Sequence, residues 1–349
     1  MLLAITDHLE GPPDRPSAEI FSEVSDLVRQ ADQLAIDYFF FTEHHAHIHQ
    51  GHLPTPLLFA LHLAAQTKQI QLGTAVICAN LHHPLDIAEQ VAVADLLTQG
   101  RLAPGFGSGA TPEELTLFNL PQSTEAQRHE QFQQTLQTIL NAWQAGTERR
   151  EQRDQSAVPD SSAHQINLTA TPNPSIQNIL PHPHPDLPSR SWLAVNSLGA
   201  ARIAGHFNFN VLFSHLRTPE QYNQYRAAYH AAGGQRKIAA NRPVYIADSD
   251  TQAFNQAEPA LRTLWRRFQQ EGKIPPDASE PSDPRDLCAH PLNFIVGSPH
   301  SVARQLLQLH HQSPHDLANL ELRWPGLTHS QIQQSLDRLA HQVRPLLPT

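Results

Sequence analysis

Apolar residues in this chain alternate between short unbroken runs and longer stretches spaced three or four apart. Leu2 to Ile5 is the first short run, and Ile20, Val24, Leu27, Val28, Ala31 and Leu34 then recur at helical spacing between Ala18 and Ala35. Tyr38 to Thr42 predicts a second strand, and Leu57, Leu58, Leu61 and Ala64 give a stripe to a helix that starts at Pro56. Ile70 to Ile77 reads as a strand, followed by a helix from Pro84, and Leu102 to Phe106 as a poorer strand. A long helix is expected over Ala126 to Ala145. Residues 147–190 then lose all period and are rich in Pro, Ser, Gln, Asp and His, which predicts an excursion over the surface. Regularity returns with strands at Trp192–Val195, Asn210–Phe213, Val244–Ile246 and Leu320–Leu322, separated by helices over Pro219–Ala232, Thr251–Gln270 and from Pro299. Phe294 to Val296 reads as a lead-in to that last helix.

Eight strands alternating with helices predict a parallel sheet, and eight repeats favour a closed (β/α)8 TIM barrel with insertion loops. The 349 residues fit a single domain over 1–349, with 147–190 as an excursion within it. A doubly wound sheet with an added domain is the other arrangement the alternation allows.

Composition narrows the function. The net charge of −9 offers no basic stripe for nucleic acid, and no apolar run approaches the roughly 18 residues of a membrane span. Cys78 and Cys288 are too few for a disulfide framework or a cysteine zinc site. The segment Met1–Thr6 lacks the basic start and apolar core of a signal peptide, so a cytoplasmic protein is expected.

In a parallel barrel the chemistry gathers where strands end. The second strand runs into Glu43, His44 and His45, and His47, His49 and His52 follow, five histidines between positions 44 and 52. Other strand ends offer Asp7 and His8, Asn80 with His82 and His83, Asn196 and Ser197, Ser214 and His215, Asp248, and Arg323. Gly105-Phe106-Gly107-Ser108-Gly109 puts glycine on alternate positions, where bare backbone can approach a ring or phosphate, or simply make a strand-exit turn. Its spacing is not that of the dinucleotide fingerprint. Asn196-Ser197 flows into a helix start, suited to an anion or to an ordinary cap.

Taken together, Phe41-Thr42-Glu43-His44-His45, then Leu72-Gly73-Thr74-Ala75-Val76 with His83-Pro84 and Ala88-Glu89-Gln90, then Asp95 to Leu102 with Gly105 to Gly109, resemble the luciferase-like flavin monooxygenase superfamily. Val296 to Ala303 adds a looser match near the end of the barrel. The resemblance implies a barrel that binds reduced FMN, or a deazaflavin in some branches, at its C-terminal rim. It implies His44 as the active-site histidine flanked by Glu43 and His45, with Ala75 and Val76 as the strand-three bulge under the flavin ring, often at a non-prolyl cis peptide. Asn80, Gly107, Ser108, Gly109, Asn196 and Ser197 would complete the cofactor site. Ser108 stands where bacterial luciferases carry a phosphate-binding arginine, so phosphate affinity would rest on backbone amides, Ser197 and Arg101 or another arginine.

The expected activity is that of a two-component monooxygenase acting with O2 on a small molecule. A separate flavin reductase would supply the reduced cofactor, and a homodimer is the expected assembly. Histidine's usual titration range suits His44 to acid or base work, with Glu43 orienting it. Two rivals are a metallohydrolase, with His45, His47 and His49 completed by His82, His83, Asp7 or Asp248, and a flavin-binding barrel without turnover.

Overall fold

The computed structural model describes residues 1–46, 51–109, 111–154 and 180–348. Eleven strands appear among them: β1 (Leu2–Asp7), β2 (Tyr38–Phe41), β3 (Gln71–Thr74), β4 (Ile77–Cys78), β5 (Leu102–Ala103), β6 (Gly105–Gly107), β7 (Trp192–Val195), β8 (Asn210–Phe213), β9 (Ile238–Ile246), β10 (Ile295–Gly297) and β11 (Leu317–Glu321). Every strand-to-strand ladder is parallel. The third and fourth staves are each split in two. β3 and β4 are separated by Ala75 and Val76, whose shared peptide is cis, and β5 and β6 by Pro104, which lacks a ladder donor. β1–β2–β3–β5 closes one side of the ring and β4–β6–β7–β8–β9–β11–β1 the other, which makes eight staves in a closed barrel.

Several expectations shift, the eighth strand among them, which spans Leu317–Glu321 rather than Leu320–Leu322. The seventh stave begins at Ile238 rather than Val244: Ile238 to Pro243 pairs with β8 and β11, while Val244 to Ile246 leans away to pair with β10. Its first half reads as polar because Asn241, Arg242 and Pro243 interrupt the apolar run. Asp248 therefore lies beyond the rim, where its Oδ1 accepts from Arg338 Nε at 2.7 Å. The lead-in Phe294–Val296 proves to be a strand outside the ring. The long helix runs over Glu125–Asp154, past the expected end at Ala145 and into the start of the expected excursion. The excursion's last residues form a helical turn at Leu187–Arg190, and 155–179 lie outside the described residues.

Helices form where the sequence stops them fraying. Thr218 Oγ1 accepts from Gln221 N, and Thr218 N donates in return to the Gln221 side chain, a capping box ahead of Pro219–Ala231. The helix Ser17–Gln33 buries Ile20, Val24, Leu27, Val28 and Ala31 against Leu3, Ile5, Phe39 and Phe41 of the sheet's outer face. The opposite positions of the same strands face inward, as a period of two requires. Ala4, Tyr38, Phe40, Trp192, Leu212, Ala239 and Leu317 meet there, with Trp192 edge-on to Tyr38 and Phe40 at 5.7 and 5.6 Å. This aromatic plug fills the barrel below the level at which the inward positions turn polar.

Candidate active site

Two residues beyond the plug, each inward position changes character. Ala4 gives way to Thr6 and His8, Trp192 to Ala194 and Asn196, Ala239 to Asn241, and Leu317 to Asn319 and Glu321. All of these upper residues line a cavity of about 440 Å³ at the carboxyl ends of the strands. Its outer wall sets the apolar Leu264, Phe268, Phe294 and Trp324 among the charged Glu10, Arg267, Glu271, Lys273 and Arg323.

His44 and Ala75 line this cavity too. His44 is held by its backbone: its N–H donates to Leu53 O at 2.9 Å. Gly51 lies flat on it, since a Cβ at 51 would stand 2.5 Å from His44 Cβ. His52 secures the same loop, bonding Gly11 O at 3.2 Å and Ser17 Oγ at 2.9 Å. The His44 ring stacks against His8 at 5.8 Å between centroids, with 27° between planes.

The rest of the histidine cluster turns elsewhere. Glu43 does not orient His44, a correction to the sequence reading. Its Oε1 instead meets His45 Nε2 at 2.8 Å and His82 Nε2 at 2.7 Å, and its Oε2 accepts from Cys78 N at 3.0 Å. The reason is the direction of the chain, which leaves β2 so that residues 43 and 44 point to opposite sides. Burial pushes the Glu43 carboxyl up, but the bonds from His45, His82 and Cys78 outweigh it and hold it below its usual range. The bond to Glu43 in turn raises His82, against its own burial. Among the described residues Glu43, His45 and His82 are the one group of three whose metal-capable atoms all lie within 4.8 Å of each other. Asp7 is not part of it, lying buried beneath Arg323 at 3.7 Å, nor is Asp248. His47 and His49 lie outside the described residues.

A second network, which sequence reading missed, centres on Glu321 at the end of β11. Its Oε1 accepts from Asn241 Nδ2 at 2.6 Å and meets His215 Nδ1 at 3.1 Å and His8 Nε2 at 3.3 Å. Burial pushes this carboxyl up, yet His215 and His8 hold it well below its ordinary range. Burial also opposes a charge on His8, but Glu321 prevails and lifts it to about 9.

The remaining predicted positions divide. Val76 packs on Gly107, where a Cβ would come within 2.6 Å of Val76 Cγ2, and Gly109 packs on Cys78. These glycines let the fourth stave close on the kinked third one. Ser108 lies between them, half-buried. Asn80 is buried off the cavity and donates to Arg128 O at 3.2 Å, tying the strand-three exit to the long helix. Ser197 caps the helix Leu198–His206, accepting from Ala200 N at 3.2 Å, and its Oγ is 3.4 Å from His129 Nε2. His129 is the polar candidate missed here, and Gly199 makes room for its ring. Arg101 cannot serve a phosphate at the rim. It precedes β5 at the amino end, where it donates to Ala64 O and Thr67 Oγ1.

Residues 3–316 match the luciferase-like monooxygenase family. The chain belongs to that family. Among its relatives is the oxygenase component of a flavin-dependent trigonelline monooxygenase from Acinetobacter baylyi, 22% identical across 99% of this chain and 95% of that one. A Sinorhizobium fredii protein is 32% identical over 129 residues, so that match spans only 37% of either chain. Among solved structures, the oxygenating constituent of 3,6-diketocamphane monooxygenase from Pseudomonas putida, in complex with FMN, superposes with a TM-score of 0.73 at 20% identity. That likeness takes in 100% of this chain and 99% of the other. As a luciferase-like chain, it has the family's barrel, and β9, β11 and β1 build a polar level above the plug. Among the described residues no helix is long and apolar enough to cross a membrane.

Proposed function

We propose that this protein is the oxygenase component of a two-component, flavin-dependent monooxygenase that uses reduced FMN and O2 on a small organic substrate. One observation carries the reading: in a chain of this family, His44 and the strand-three kink at Ala75 face the same rim cavity. The residues fit a flavin. Ala75 offers a small, flat wall, and Gly107 lets Val76 tuck behind it. The backbone amides around Ser108 and Gly109, with Asn196, Ser197 and His129 at a helix start, are suited to the phosphate. Asn80 supports this side by anchoring the long helix. When bound, the reduced flavin supplies the electrons that activate oxygen.

The protein's own residues provide the setting. The plug of Trp192, Phe40 and Tyr38 closes the barrel below and keeps water from entering by that route. His44, at the cavity wall, donates or accepts the proton the reaction moves at its imidazole. Glu43 and His45 support it from outside as a bonded pair that fixes the chain at the end of β2. A separate reductase supplies the reduced cofactor, in keeping with a relative named as an oxygenase component. Two copies pair through the helices Pro56–Ala64 and Pro84–Leu97, whose Leu58 and Leu97 are 64% and 63% exposed.

The test is a titration with FMN and with a deazaflavin, followed by NADH-driven oxygen uptake with an added reductase. His44→Ala is expected to bind FMN as the wild type does and to lose roughly 100-fold or more in substrate oxygenation. Undiminished oxygenation by that variant would end the role for His44, and failure of the wild type to bind either flavin would end the reading as a whole.

A further inference from the structure

We infer that Glu321 is the point at which the cavity grips its substrate, its Oε2 accepting a hydrogen bond from a hydroxyl or N–H group on a small ring-bearing molecule. This rests on the flavin reading above, which assigns the wall at Ala75 to the cofactor. Around the barrel β11 stands three staves from β3, with β1 and β2 between them, so Glu321 and Ala75 lie on separate parts of the cavity wall with His44 on the arc between.

The carboxylate is used unevenly. Asn241, His215 and His8 all converge on Oε1, at 2.6, 3.1 and 3.3 Å, and among the described residues nothing donates to Oε2. The side chain is only 9% exposed, and what is exposed belongs to the cavity lining. Oε2 therefore keeps its access to the open cavity, where a ligand's donor can take the place of water on it.

The surroundings define the ligand further. The fixed cations of the outer wall are taken: Arg267 pairs with Glu10 at 3.0 Å, Lys273 with Glu271 at 2.6 Å, and Arg323 donates to Glu10 O at 2.8 Å. None is left over for an anionic substrate. Phe268, Phe294 and Trp324 offer flat apolar surface to the body of the molecule. The class that fits is a compact aromatic or alicyclic compound with a neutral donor at one end.

Three probes separate the possibilities: benzyl alcohol, benzyl methyl ether, which keeps the acceptor and loses the donor, and benzoate. Ligand-observed NMR would measure their binding to wild type, Glu321→Gln and Glu321→Ala, with an FMN titration in parallel. Wild type is expected to bind the alcohol on the order of 10-fold more tightly than the ether, with benzoate weakest. That preference should shrink in the glutamine variant and vanish in the alanine variant. Equal binding of alcohol and ether, a preference for benzoate, binding of none of the three, or a preference that survives Glu321→Ala would each overturn the assignment. Should the alanine variant fail to fold, the wild-type comparison and the isosteric glutamine decide. FMN binding without donor preference removes only the Glu321 assignment, whereas absence of FMN binding removes the flavin reading.

Discussion

Replacing Glu321 by glutamine removes the charge that keeps a proton on His8. In the folded protein burial pulls His8 down, but Glu321, with Glu10 and Asp7 behind it, pulls harder and lifts it from 6.5 to about 9. At about 1.36 kcal/mol per unit, that gap corresponds to roughly 3 kcal/mol in favour of the folded imidazolium. The His8 side chain is 28% exposed, and solvent screening lowers a realistic figure to about 2 kcal/mol. Because the folded state holds this proton more tightly, it binds more protons than the unfolded chain between pH 6.5 and about 9, and stability falls as pH rises there. The contribution is complete below 6.5 and absent above about 9. Glu321 works with the opposite sign. Its carboxyl is lowered, so its contribution is present above the ordinary value of 4.5 and disappears as acid titrates the folded group. Both effects describe one attraction and are not added. Urea unfolding at several pH values, with the His8 ring followed by NMR, measures it directly. Wild type should lose about 2 kcal/mol across that alkaline window, whereas Glu321→Gln should be flat there, with His8 titrating at or below its ordinary range. A wild-type His8 that titrates near 6.5, or parallel stability curves for the two proteins, would refute the reasoning.

Three further outcomes follow from the packing. Gly107→Ala would drive a Cβ to 2.6 Å from Val76 Cγ2, so a cost of about 1–3 kcal/mol and weaker FMN binding are expected; an unchanged melting temperature would contradict the close approach. Trp192→Ala opens the plug beneath the cavity and should cost about 3–5 kcal/mol in denaturant unfolding, and a loss under about 1 kcal/mol would show that Tyr38 and Phe40 seal the barrel without it. Leu97→Asp, at a position 63% exposed, should leave monomer stability within about 0.5 kcal/mol and move the sedimentation coefficient toward the monomer; an unchanged assembly would place the pairing surface elsewhere.

The staves that read clearly from sequence are those with unbroken apolar runs: Tyr38–Phe41, Trp192–Val195 and Asn210–Phe213 lie where their patterns put them. Local pattern fails where the two ends of one strand serve different purposes. β9 carries Asn241 inward to bond Glu321, so its first half looks like a loop although it pairs on both sides. The kink at Ala75 and Val76 splits a strand whose sequence looks continuous, because the break depends on Gly107 and Gly109 of the neighbouring stave. His44 is legible as the imidazole at a strand end. The partner of Glu43 is not, because His82 lies 39 residues away and only barrel closure brings it near. Glu321 is hidden for a different reason: read as the middle of Leu320–Leu322, it looks like an exposed strand position. Counting inward positions from Leu317 would find it, since Leu317, Asn319 and Glu321 share one face.

That shared face also explains how this barrel can hold a fold constant while changing what it accepts. Inward side chains at the plug level pack against one another across the barrel, so a change at Trp192 or Phe40 is felt by every stave that touches them. One level higher, Thr6, Asn241, Asn319 and Glu321 border open space on one side and bond to one another along the floor, as Thr6 Oγ1 does to Asn319 Oδ1 at 2.9 Å. Replacing this set together with His8 and His215 by apolar residues of similar size would remove the donors along with their acceptors, and such joint removal is far less costly than stranding one member. Removing Glu321 alone strands Asn241, His8 and His215 at once. The floor is therefore a unit: it tolerates replacement as a whole and resists change one residue at a time.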